Sequence, residues 1–293
     1  MTAEDSTTLS PPPMQALGTP WHVGKVTLAA HDGAALSTFY RETLGLERLA
    51  RDAETETLGA GGVPLLAIRH APEARQRSPR EAGLFHTAFL LPARADLGRW
   101  LKHAAALGLR LEGASGHLVS EALYLSDPEG NGIEIYVDRP ASAWTWHDGQ
   151  VAMATERLDL NDLAAAGEGA FAGMPDGTCV GHVHLQVGDT AAAETFYRDA
   201  LGLDLTTRYP GASFLSSGGY HHHIAANIWH SRGAGPRDLP STGLAGFEWL
   251  ARDTATLAAT RARLAEHGIA AAELDGALVV ADPWRNAITL RVA

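Results

Sequence analysis

Phe39-Tyr40-Arg41-Glu42-Thr43-Leu44-Gly45-Leu46 returns 157 positions later as Phe196-Tyr197-Arg198-Asp199-Ala200-Leu201-Gly202-Leu203. Val23-Gly24-Lys25-Val26-Thr27-Leu28 returns at the same offset as Val180-Gly181-His182-Val183-His184-Leu185. Two matches at one spacing mark an internal duplication. A fainter repeat lies downstream: Gly83-Leu84-Phe85-His86-Thr87-Ala88-Phe89 aligns with Gly243-Leu244-Ala245-Gly246-Phe247-Glu248-Trp249, and Asp127-Pro128-Glu129-Gly130-Asn131 with Asp282-Pro283-Trp284-Arg285-Asn286. The chain therefore has two similar halves, each holding two units.

Every unit reads alike. A strand of alternating apolar residues opens it, such as Val183, Leu185 and Val187. A helix follows from a cap-like Asp189 and runs from Ala191 to Leu201. Gly202 stops it, as Gly45, Gly108 and Gly268 stop the others, in the left-handed conformation that glycine adopts cheaply. Three short strands complete the unit. The expected fold class is α+β, with four βαβββ modules paired into cup-shaped, half-barrel sheets. Residues 1–20 read as a flexible tail, 21–140 as a first domain of two units, 141–177 as a linker with a short helix around Leu158–Ala166, and 178–293 as a second domain of two units.

Composition narrows the function classes. A chain of 293 residues with 45% hydrophobic content can bury two ordinary cores, and 19% charged residues is too few for disorder. A net charge of −11 argues against a nucleic-acid partner. The single cysteine, Cys179, excludes an intrachain disulfide and a thiolate zinc site, and it fits a reducing, cytoplasmic setting. The sequence has no run of about 18 apolar residues, so no membrane span is expected. Met1–Pro13 lacks the basic start and apolar stretch of a signal peptide and reads as a loose tail.

From Val23 to Val292 the chain resembles the vicinal oxygen chelate superfamily, which includes glyoxalase I, bleomycin-resistance proteins and extradiol dioxygenases. The duplicated Phe-Tyr-Arg-x-x-Leu-Gly-Leu phrase carries the resemblance and speaks to fold more than to activity. It implies two tandem glyoxalase-like domains, with any metal ligands on the first and last strands of the units. Units one and four offer only Lys25, Gly246 and Thr289 there; units two and three offer His86, Glu134 and His182. Two imidazoles and one carboxylate form the facial set that leaves open positions on non-haem Fe(II). Mn(II) suits the same donors, and Zn or Ni would suit a lyase or isomerase.

A second motif sharpens the resemblance. His117, then Leu123-Tyr124, Asp127-Pro128-Glu129-Gly130 and Glu134 follow the spacing of the extradiol dioxygenase signature, with Ser115 a minor departure. The resemblance implies that Glu134 ligates the metal and that His117 and Tyr124 hydrogen-bond a catechol's oxygens. The run Tyr220-His221-His222-His223-Ile224, followed by Asn227 and Trp229, resembles two-repeat bacterial catechol 2,3-dioxygenases. It implies His222 as the acid–base residue, because imidazole exchanges protons near neutral pH. On an alternating strand His221 and His223 would face away from it. His184 and His103 read as bystanders.

The expected substrates are a small aromatic diol and O2. A glyoxalase-like lyase or isomerase is the alternative; a fully ligated set of His86, Glu134, His182 and His222 would favour it. A non-enzymatic binder fits less well, since such relatives lack metal ligands. One feature departs from the best-known extradiol enzymes, which draw their ligands from one half of the chain. Here the set closes only if unit two pairs with unit three and unit one with unit four. Were units to pair within halves, a homodimer would be needed to rebuild the site across chains.

Overall fold

The computed structural model describes residues 14–293; of the expected tail 1–20, Met1–Pro13 lies outside the described residues, whereas Ala16 and Thr19 are buried against His223 and so are packed, not loose. Unit one comprises β1 (Trp21–Ala30), α1 (Gly33–Phe39), β2 (Glu47–Arg51), β3 (Thr55–Ala60) and β4 (Val63–His70). Unit two comprises β5 (Gly83–Leu90), α2 (Arg94–Ala106), β6 (Gly113–Gly116), β7 (Ser120–Ser126) and β8 (Gly132–Asp138). The connecting segment holds the short strands β9 (Trp146–His147), β10 (Gln150–Val151) and β11 (Glu156–Arg157), then α3 (Leu160–Ala166). Unit three comprises β12 (Cys179–Gln186), α4 (Thr190–Glu194), β13 (Asp204–Tyr209), β14 (Ala212–Ser216) and β15 (Ile224–Asn227). Unit four comprises β16 (Gly243–Ala251), α5 (Thr254–Glu266), β17 (Ala272–Leu274), β18 (Ala277–Ala281) and β19 (Ala287–Val292).

The sheets cross the halves of the sequence. One has eight strands in the order β17-β18-β19-β16-β1-β4-β3-β2, joining units four and one. A second has nine, in the order β11-β6-β7-β8-β5-β12-β15-β14-β13, joining units two and three, and β9 and β10 form a separate two-stranded ribbon. Within each unit the first and last strands run parallel. At each seam the first strands of two units run antiparallel, β1 with β16 and β5 with β12. The fold is the expected mixture of α and β with curled, half-barrel sheets, but a sequence half and a sheet are different sets of residues.

A second set of contacts does operate within each half. Tyr40 Oη donates to Asp127 Oδ2 at 3.0 Å, and Tyr197 Oη donates to Asp282 Oδ2 at 2.9 Å. Each tyrosine sits on the π-helical turn that continues α1 or α4, and each aspartate opens an Asp-Pro turn in the next unit. Asp127 also accepts from the backbone N–H groups of Glu129 and Asn131 and from Asn131 Nδ2. Asp282 is held likewise by Trp284 and Asn286. These carboxylates are buried, and burying one is tolerable only with several donors around it. The duplicated phrase and the duplicated turn are therefore partners in space.

Alternation along β5 divides its side chains between two environments. Phe89 enters the main core beneath the helices, with Tyr40, Trp100 and Tyr197. Ala88 and Leu90 join a smaller cluster with Tyr136, Trp144 and Tyr220. Close approach of β5 to β8 depends on Gly132: a Cβ there would lie 2.1 Å from the Phe85 carbonyl oxygen. Gly132→Ala is expected to cost about 1–3 kcal/mol through forced separation of these strands. A thermal melt of the metal-free variant should show a transition several degrees below wild type.

Candidate metal centre and its cavity

Three adjacent strands bring the candidate ligands together. Ala88 on β5 lies opposite Glu134 on β8 and opposite His182 on β12, and His86 is two residues along β5 from Ala88. All three side chains are buried. His86 Nε2 lies 2.9 Å and His182 Nε2 3.1 Å from Glu134 Oε2, with the two nitrogens 3.3 Å apart. Among the described residues this is the group of three or more His, Cys, Asp or Glu able to hold one ion. His222 is not part of it.

The donor set fits a divalent cation. Without one, hydrogen bonding to Glu134 needs a proton on both Nε2 atoms, and two N–H groups then crowd each other across 3.3 Å. A cation replaces both protons and meets three lone pairs. The local two-fold of the β5·β12 seam also shows what stands at a fourth position. It exchanges His86 with His182 and Ala88 with His184, because His184 pairs with His86 and His182 with Ala88. Glu134 lies opposite Ala88; its counterpart opposite His184 is Ala225, a methyl group. The set thus stays at three.

The site's electrostatics follow from burial. Burial alone would raise the Glu134 carboxyl, but the His182 and His86 rings outweigh it and hold the carboxyl well below the usual range. Burial pushes His182 down to about 4 despite the pull of Glu134. Burial, reinforced by neighbouring imidazoles, also pushes His184 and His222 well below the ordinary histidine value.

Next to the triad, Tyr124 on β7 is directly opposite Glu134. Its hydroxyl is 2.7 Å from His117 Nε2, and His117 Nδ1 is 2.8 Å from the Ala154 carbonyl oxygen. A carbonyl only accepts, so His117 carries its proton on Nδ1 and receives the Tyr124 proton at Nε2. Burial, and then the charge of Glu134, raise the Tyr124 hydroxyl well above its ordinary value, so it stays a donor.

His222 precedes β15 instead of lying within it, and its ring centroid is 4.1 Å from that of His182. His221 and His223 turn away from the cavity: His221 Nε2 reaches Asp138 Oδ1 at 2.8 Å, and His223 Nε2 reaches the Ala16 carbonyl at 3.0 Å. His103 is remote, against the Glu42 carbonyl on the helical side. His184, by contrast, lines the cavity, where Asn227 Nδ2 donates to its Nε2 at 3.0 Å. Its spacing of two from His182 on an alternating strand was the signal for a shared face.

His86, Glu134, His182, His222, Tyr124 and His117 all border one cavity of about 1060 Å³. Phe85, Phe214 and Trp229 add aromatic walls. Of the other tryptophans, Trp144 packs on Tyr220 and Trp249 stacks on Trp21. In the other sheet, Lys25 and Glu248 form an ion pair at 3.6 Å near the positions that carry the candidate ligands here.

The sequence model of the glyoxalase/bleomycin resistance protein/dioxygenase superfamily matches residues 22–135 and 180–290. The chain belongs to this superfamily. The catechol-2,3-dioxygenase of Bacillus subtilis (strain 168) is 37% identical over 276 residues, covering 91% of this chain and 95% of that protein. Biphenyl-2,3-diol 1,2-dioxygenase 3 of Rhodococcus globerulus is 32% identical over 105 residues, covering 34% of this chain and 55% of that protein. Glyoxalase I from Zea mays shares the superfamily fold, with a TM-score of 0.58 and 15% identity, over 94% of this chain and 93% of its own.

The buried imidazoles predict an acid-sensitive metal-free protein. In the unfolded chain His182 binds a proton near pH 6.5; in the folded chain it does so only near 4. Between those values the unfolded state holds more protons, so stability falls as pH drops through this window. His184 and His222 act with the same sign. The contribution of Glu134 is lost lower still, as pH falls through its depressed folded value. Melting temperatures of the metal-free protein should be clearly lower at pH 5 than at pH 7.5; equal values would contradict the buried neutral imidazoles.

Proposed function

We propose that this protein is an extradiol dioxygenase that opens the ring of a substituted catechol with Fe(II) and O2 in the cytoplasm. The observation that carries this reading is the three-donor set of His86, Glu134 and His182, with Ala225 at the fourth position and His222 outside the set. A lyase or isomerase of the glyoxalase type would be better served by a fourth ligand. The likeness to the Bacillus subtilis catechol-2,3-dioxygenase over almost the whole chain supports the same choice.

His86, His182 and Glu134 would hold the metal. Bound there, Fe(II) would supply the one-electron chemistry that O2 needs. The rest is the work of the chain. His222, against the His182 ring, takes the proton of a diol hydroxyl and later returns one. Tyr124, whose proton goes to His117, accepts a hydrogen bond from a diol hydroxyl. Phe85, Phe214 and Trp229 hold the ring flat and keep water away. The cavity is at the upper end of small-molecule pockets, which suits a catechol with a sizeable substituent over catechol itself. Because units two and three share one sheet, a single chain completes the site and no second copy is needed. Among the described residues no helix is long and apolar enough to cross a membrane.

The test is oxygen uptake after anaerobic Fe(II) loading, with catechol and alkyl- or chlorocatechols as substrates. Uptake with a yellow ring-opened product is expected. Bound metal without uptake would move the assignment to a lyase or isomerase. His86→Ala and Glu134→Gln should lose the metal, measured by elemental analysis. His222→Ala should keep it while turnover falls on the order of 10²–10⁴-fold; metal loss in that variant would make His222 a ligand.

A further inference from the structure

We propose that Asp138 and His221 are positioning residues that fix the tautomer of His222 and present its Nε2 lone pair to the cavity. The inference rests on His222 being the proton-transfer group.

Asp138 ends β8, the strand that carries Glu134. Its Oδ1 accepts from Tyr220 Oη at 3.2 Å and lies 2.8 Å from His221 Nε2. A carboxylate oxygen only accepts, so His221 carries its proton on Nε2. A neutral imidazole protonated there has an acceptor at Nδ1. His221 Nδ1 is 2.8 Å from His222 Nδ1, so His222 donates from Nδ1 and keeps the lone pair on Nε2. That is the form a general base needs. Among the described residues no protein group hydrogen-bonds His222 Nε2. His222 borders the cavity; His221 and Asp138 do not.

The row is braced from behind. The Trp144 ring is edge-on to His221 at 5.1 Å, and Tyr136 Oη is 2.8 Å from Tyr220 Oη. Because the Tyr220 proton goes to Asp138, Tyr136 donates to Tyr220. Gly181 leaves room for this, since a Cβ there would lie 1.8 Å from Tyr136 Oη. The His222 ring also packs against His182, tilted at 4.1 Å, and against Phe214, edge-on at 5.0 Å. An imidazole with one nitrogen committed and its ring clamped has one productive orientation. Removing the orienting carboxylate from such an arrangement frees the wrong tautomer.

The test uses the metal-free protein labelled with [15N]histidine and long-range proton–nitrogen spectra of its imidazoles, with His222 assigned from the signals lost in His222→Gln. In wild type, His222 should show a protonated Nδ1 and an unprotonated Nε2, and His221 the reverse. Asp138→Asn should mix the His222 tautomers. In the Fe(II)-loaded enzyme it should lower kcat on the order of 10²-fold with KM and metal content unchanged. His221→Phe, which keeps the ring and removes both nitrogens, should do the same. A His222 protonated on Nε2 in wild type would overturn the proposal, as would Asp138→Asn with wild-type spectra and kcat. If a variant fails to fold, the wild-type spectrum still decides. If wild type turns over no catechol, the functional reading fails, and the nitrogen spectra still judge the row on their own.

Discussion

The antiparallel contact between β5 and β12 is the constraint on which the rest depends. It places the first strands of units from opposite halves side by side, so His86 and His182 meet although 96 residues separate them in the chain. Parallel pairing of β8 with β5 then delivers Glu134 to the same point. Side chains alternate with a period of two, so a slip of one residue at this seam would send the imidazoles to the opposite face. Register shifts on either side of His182 and His184 adjust the seam locally. The β1·β16 seam is built the same way and carries Lys25 and Glu248 as an ion pair. Among the described residues, one duplicated architecture thus yields one cluster able to hold a metal ion.

Two kinds of glue hold this arrangement, and they run in different directions. Backbone ladders tie unit two to unit three and unit one to unit four. The Tyr40–Asp127 and Tyr197–Asp282 hydrogen bonds tie units one to two and three to four. Together they close a cycle in which each unit is fixed to two others. The Asp127 turn leads directly into β8, so the buried bond from Tyr40 also bears on where Glu134 stands.

Much of this was legible in the sequence. Repeat spacing revealed the units, glycines marked the helix ends, and equivalent repeat positions singled out His86, Glu134 and His182. Pairing of the units was not legible, because alternating strands record which face is buried but not which neighbour they meet. The partnership of Tyr40 with Asp127 was hidden for a related reason: both are repeated, yet nothing local shows that one reaches the other. Repeat logic asks for one residue per strand and so passes over His184, whereas a strand offers every second side chain to a cavity. Ala225 carries no chemical signal at all; its meaning lies in the position it leaves without a ligand. His221 drew notice only as a neighbour of His222, and its contact with Asp138 depends on a turn that no spacing rule describes.

The proposed function requires ligands from both halves of the chain to converge on one ion. Anomalous diffraction from crystals grown with Mn(II) or Fe(II) tests it most directly. One peak per chain is expected, bounded by Nε2 of His86, Nε2 of His182 and a carboxylate oxygen of Glu134, with His222 beside it and not bonded to it. A peak elsewhere, or direct ligation by His222 as a fourth protein donor, would contradict it.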